Sequence, residues 1–146
     1  MTIASTAFGH NERIPSVYTC DGEDRSPPLL FTDVPKETKS LALISDDPDA
    51  PVGTWVHWLL WNIDPSVSEV SEGSTPKGAI AGTTSFKKTG YGGPCPPFGT
   101  HRYFFKLYAL DTRLDLPPSS GKKELEAAME GHVMAQAELV GLYSRK

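Results

Sequence analysis

Glycine and proline, thirteen of each in 146 residues, cut this sequence into short apolar runs and limit its fold more than any other feature. Neither residue suits the interior of a helix or a central strand, so regular elements have to fit between them. The runs that remain are "LLF" (29–31), "SLALIS" (40–45), "WVHWLLWNI" (55–63) and "RYFFKLYAL" (102–110), each of strand length. Short strands joined by rigid, turn-rich connections predict a mainly β domain. The third run is apolar almost throughout, which predicts a central strand covered on both faces. In the fourth, Tyr103, Phe105, Leu107 and Ala109 alternate onto one face.

One segment reads as helix. In "GKKELEAAMEGH" (121–132), Leu125, Ala128 and Met129 lie at helical spacing, Pro117 and Pro118 precede it, and Gly131 can end it. The following "VMAQAELVGLY" (133–143) permits helix by composition, but Val133, Ala135, Ala137 and Leu139 alternate with Met134, Gln136 and Glu138, which predicts a C-terminal strand. Between residues 64 and 100 large apolar side chains are few and Gly, Ser, Thr and Pro are many. A connection that long without regular structure is uncommon in a compact domain and is often functional.

The length suits one core, so a single domain over 1–146 is expected. Net charge is -4 with Lys and Arg dispersed, which leaves no electrostatic footprint for nucleic acid. The first residues lack the charged region and apolar run of a secretory signal, and no stretch reaches membrane-spanning length. A cytoplasmic protein without membrane insertion is the expectation. Cys20 and Cys95 form no zinc motif, and free thiols are the default for a reducing compartment. Both lie in turn-rich segments, so a bridge between them stays open.

Two clusters carry candidate chemistry. In "DDPDAPVGTWVHW" (46–58) a strand runs into three carboxylates and two prolines, then returns as a strand bearing His57. Read alone, this suits a solvated turn, because Asp and Pro are common turn residues. Taken together, Pro48 and Pro51 stiffen a turn that would aim Asp47 and Asp49 at His57, and their X-Pro bonds are candidates for a cis peptide. The second cluster is "GYGGPCPPFGTHRYFFKLYAL" (90–110). Its glycine and proline loop leaves backbone N–H groups unobstructed, a geometry that can cup an anion. His101 and Tyr103, two apart on a strand, point one way while Arg102 points the other.

Together the two clusters resemble the phosphatidylethanolamine-binding proteins, in particular the bacterial and archaeal Raf-kinase-inhibitor-like branch. "DPDAP" followed by "WVHW" is similar to that family's first signature, and "GPCPPFGTHRYFFKLYAL" to its second. "IPSVYTCDGEDRSPPL", "KTGYGGP" and "LEAAMEGHVMAQAELVGLY" extend the resemblance over nearly the whole chain. It implies two antiparallel sheets with one or two short peripheral helices, and a pocket for phosphate, phosphorylated head groups or carboxylates. The pocket would be lined by Asp47, Asp49, His57, His101 and Tyr103, with Gly93 and Pro96 on its wall and Trp55 near its mouth. Phe98 stands where bacterial relatives usually carry a polar residue and would narrow the entrance. The resemblance implies no cofactor and no metal, and it makes a homodimer plausible. The chain ends soon after its last strand, so the C-terminal helix of animal members is not expected, nor are their kinase-regulating roles.

A pocket with two carboxylates repels anions unless a histidine or an aspartate carries a proton when ligand binds. Binding is then expected to tighten as pH falls from about 8 to about 6, where histidine titrates. Two other readings stand beside anion binding. One is a protease- or kinase-inhibitor-like protein acting through a surface loop, with 64–100 as the loop. The other is a hydrolase using the Asp/His pocket, for which Cys95 is the nearest thiol nucleophile and no glycine-serine elbow is present.

Overall fold

Apolar alternation becomes a set of strands. In chain order these are β1 (Thr2–Ala4), β2 (Glu12–Arg13), β3 (Leu29–Thr32), β4 (Ser40–Asp47), β5 (Trp55–Ile63), β6 (Glu69–Val70), β7 (Ile80–Ala81), β8 (His101–Leu110) and β9 (Val133–Tyr143). Helix α1 (Lys122–Met129) lies between β8 and β9, and a 3-10 turn spans Ser16–Tyr18. The computed structural model describes residues 1–145; Lys146, the last residue of the expected domain, lies outside them.

The strands form two sheets. The smaller has the order β1-β3-β6, and the larger the order β2-β9-β8-β4-β5-β7. Pairing is antiparallel except where β2 runs parallel to β9. Ile3, Leu29, Phe31 and Val70 of the small sheet pack on Leu41, Leu43, Trp58, Leu60, Phe105 and Leu107 of the large one. The opposite face of the large sheet buries Ala42, Ile44, Leu59 and Trp61 under Leu125 and Met129 of α1. This is the mainly β arrangement predicted from the apolar runs and the two sheets that the resemblance implied, with one α-helix among the described residues, packed on the outer face of the large sheet.

The helix stops sooner than 132. Glu124 accepts a hydrogen bond from the Gly121 N–H (2.8 Å), closing its first turn, and Gly131, at φ 81°, turns the chain into β9. β5 keeps the predicted span, lies inside the sheet between β4 and β7 and is covered on both faces, but it is not the most enclosed strand. That place belongs to β4, which lies between the two long neighbours β5 and β8 and is buried at every residue. No peptide bond among the described residues is cis, so Pro48 and Pro51 stiffen their turn in the trans form. The stretch 64–100 is not structureless: besides β6 and β7 it holds a bridge between Thr83 and Thr89, and Gly82, Thr83 and Ser85 donate backbone hydrogen bonds into Leu59, Ser120 and Val56.

Two irregularities interrupt the β4–β5 pairing. Leu41 pairs with Ile63 but Leu43 with Leu60, so Trp61 and Asn62 together oppose Ala42. Asn62 takes the left-handed conformation (φ 55°) and its side chain bonds both the N–H and the C=O of Leu114 at 2.8 Å. Nearer the other end, Ser45 pairs with Trp58 but Asp46 with Val56, leaving His57 as the extra residue of a β-bulge. Val56 and Trp58 would share a face in a regular strand. Here Val56 packs on the helix side and Trp58 between the sheets.

Candidate ligand-binding site

Antiparallel pairing sets the C-terminal end of β4 beside the starts of both β5 and β8. The side chains at those three ends open onto a cavity of about 300 Å³. Asp47, His57, His101 and Tyr103 supply its polar lining, while Trp55, Phe86, Pro51, Val52, Pro96 and Pro97 supply apolar walls.

The three carboxylates of 46–49 each go to a different partner. Asp46, buried on the helix side, meets Lys122 Nζ at 2.8 Å and Lys106 Nζ at 3.4 Å. Asp47, also buried, accepts the Asp49 backbone N–H on Oδ1 and His101 Nδ1–H on Oδ2, both at 2.7 Å. Asp49 turns away from the cavity. It accepts Arg102 Nε–H, Nη2–H and the Arg102 backbone N–H within 2.9–3.0 Å, and these bonds pull its pKa down to about 2. The expectation that Asp49 lines the pocket is therefore corrected. Spacing of i and i+2 aims side chains alike only while a strand continues, and the chain turns just after Asp47.

The bulge re-aims His57. Its ring meets Tyr103 edge-on with centroids 5.2 Å apart and Phe86 at 5.3 Å, and Nδ1 lies 2.7 Å from the Gly92 carbonyl. A carbonyl only accepts, so the proton sits on Nδ1 and the neutral ring leaves Nε2 as an acceptor. Burial lowers the His57 pKa, against the opposing pull of the Gly92 bond and the Asp47 charge, so this ring is neutral near pH 7. His101 is arranged likewise: Nδ1–H is held by Asp47, and among the described residues neither Nε2 has a hydrogen-bond partner.

Tyr103 completes the floor. Its hydroxyl is buried with no hydrogen-bond partner, although the Asp47 carboxylate and the Cys95 backbone lie near enough to influence it. Burial, then the Asp47 charge, push its pKa far up, so it stays a neutral donor. An unmet buried hydroxyl costs about 1–3 kcal/mol, a penalty that a bound acceptor would relieve.

The glycine loop serves otherwise than expected. Its N–H groups point inward: Gly92 donates to the His57 carbonyl at 2.9 Å and Gly93 to Asp24 Oδ1 at 2.8 Å. Gly93 does not line the cavity. A Cβ there would overlap the Tyr18 carbonyl oxygen and the Asp24 carboxylate, so its small size lets the loop dock on residues 18–24. Pro96 and Trp55 do line the cavity, whereas Phe98 is 74% exposed and forms no part of its lining. Phe86 takes the walling role instead. It is one of few large side chains in 64–100, and that rarity was the available signal for it. The expectation of free thiols is also corrected: Cys20 and Cys95 form a disulfide, and Cys95 sits at the cavity wall.

A family model described as phosphatidylethanolamine-binding protein matches residues 4–144. A UPF0098 protein of Methanothermobacter thermautotrophicus is 53% identical over 150 residues, spanning 99% of each chain. A UPF0098 protein of Aquifex aeolicus is 48% identical, spanning 99% of this chain and 89% of its own. Among solved structures, a Chlamydia trachomatis homologue of phosphatidylethanolamine-binding protein superposes with a TM-score of 0.96 at 43% identity, covering 99% of this chain and 97% of the other. E. coli YbcL, described as a member of the mammalian family, superposes with a TM-score of 0.93 at 30% identity, covering 99% and 98%.

Proposed function

The chain belongs to the phosphatidylethanolamine-binding protein family, and from that premise we propose that its cavity binds a small anion: phosphate, a phosphorylated head group or a carboxylate. The observation that carries this reading is the Tyr103 hydroxyl, buried, neutral and without a partner beside two imidazoles whose Nε2 atoms are also unbonded. With both Nδ1 atoms engaged, the floor offers the Tyr103 hydroxyl as a donor, while an Nε2 that carries no proton can only accept. An anion therefore brings a proton with it, either on its own oxygen or taken up at an Nε2. A proton on His101 also balances the Asp47 charge beside it, which removes the repulsion a lone carboxylate would exert.

The two other readings have less behind them. Cys95, the thiol nearest a hydrolytic pocket, is bonded to Cys20 and so carries no free thiolate in this state, and the cavity lining contains no serine or threonine. For an inhibitor presenting 64–100 as a loop, most of the segment is tied down, since its backbone is bonded to β5 and to Ser120, and only its last residues, 95–100, lack such bonds. No helix among the described residues is long and apolar enough to cross a membrane.

The test is a calorimetric titration at pH about 8 and about 6 with phosphate, and with acetate and sulfate, whose own charge is constant over that range. Binding of all three is expected to tighten at the lower pH. Affinities that stay flat for acetate and sulfate would remove proton uptake by the pocket, and absence of binding at either pH would remove the anion reading.

A further inference from the structure

The wall made by Pro96 and Pro97 is held unusually loosely. Residues 91–94 are fixed by Tyr91 Oη–H to the Tyr18 carbonyl (2.7 Å), by the Gly92 and Gly93 bonds, and by the Cys20 N–H to the Pro94 carbonyl (3.1 Å). Strand β8 takes over at His101. Between them, the Cys95 backbone lies beside the Tyr103 hydroxyl, and residues 96–100 make no hydrogen bond among the described residues, from backbone or side chain. Only Pro96 in that stretch is buried. What ties the segment to the body is the Cys20–Cys95 bond, and both cysteines are exposed to solvent.

We infer that Cys20–Cys95 is a site of thiol–disulfide exchange, and that its cleavage by a small-molecule thiol loosens the 95–100 wall and weakens ligand binding. This rests on the anion reading of the pocket. The chemistry balances with the thiol as reductant. A thiolate attacks one protein sulfur, the S–S bond breaks, and the other cysteine leaves as a thiolate that takes up a proton. A second thiol resolves the mixed disulfide, so two protein thiols and one small-molecule disulfide result. Exposure makes this bridge accessible to such attack, as a bridge buried in a core would not be. The cost of reduction falls on binding because a preformed wall spares the ligand the entropy of ordering it.

The experiment compares phosphate affinity by calorimetry for the oxidised protein, the protein reduced with dithiothreitol, and the Cys20→Ser/Cys95→Ser variant. Far-UV circular dichroism runs alongside to show that each form is folded at the assay temperature. The expected result is affinity about tenfold weaker on reduction, recovered on reoxidation, with the double variant weak and indifferent to reductant. Equal affinity in folded oxidised and reduced forms overturns the redox inference while leaving the pocket intact. Global unfolding on reduction also overturns it, since the bond would then be a structural staple. No phosphate binding in any form overturns the pocket reading and this inference with it.

Discussion

His101 donates a hydrogen bond from Nδ1–H to Asp47 Oδ2 across 2.7 Å, and both side chains are buried although 54 residues separate them in sequence. The bond exists because β4 and β8 are antiparallel neighbours whose facing ends bring position 47 beside position 101. It fixes the ring's tautomer and orientation, and so decides which nitrogen remains for a ligand.

Replacing Asp47 by Ala strands a buried imidazole N–H, which should cost about 1–3 kcal/mol of stability. Asp47→Asn should cost less, because an amide oxygen can still accept the bond. Urea unfolding of the three proteins at one pH checks the order.

Tyr103→Phe should move stability and binding in opposite directions. Removing an unmet hydroxyl should raise stability by about 1 kcal/mol, while the loss of the donor weakens phosphate binding by about tenfold. If the variant instead unfolds more easily and binds phosphate as well as before, the hydroxyl is already satisfied at rest and the floor has no donor to offer.

His57 should make the protein acid-sensitive below its ordinary pKa of 6.5. Burial lowers the folded-state value, so between that value and 6.5 the unfolded chain binds the extra proton, and stability rises with pH across the window. Urea midpoints should fall between about pH 7 and about pH 5, and the fall should be shallower in His57→Gln. Equal slopes would show that other groups govern the acid limb.

Asp49 works in the opposite sense and at lower pH. Its folded-state pKa is depressed from 3.8 to about 2, so its contribution is present above 3.8 and is lost as pH falls toward 2. Arg102→Ala should therefore be less stable than the parent at neutral pH, with the gap closing through that window. Arg102→Lys should fall between them, since an ammonium cannot reproduce the two-pronged contact. Thermal melts from neutral to acid pH would show the gap closing, or staying constant if the pairing contributes nothing.

Long periodic segments were legible because their physics is local. β5 and β9 keep the spans read from apolar patterning, and the faces of Arg102 and Tyr103 followed from a period of two. The Asp/His/Tyr lining was legible through the family resemblance, but Asp47, expected to be aimed at His57, bonds His101 instead. What stayed hidden depends on relationships with no local signature. The bulge at His57 is a mismatch between two strands and cannot be seen in either one alone. The fate of Asp49 is set by Arg102, 53 residues away, and the disulfide spans 75 residues. Gly93 looked like a surface because small residues open space, yet the space it opens is filled by the neighbouring segment.

The floor of the cavity stands on strand ends while most of its walls hang from connections, at 50–52, 86 and 95–97. These two parts can change independently. Exchanging the connections would retune the size and greasiness of whatever is admitted without disturbing the proton-handling groups beneath, so one scaffold could be fitted to many guests by grafting its rim alone.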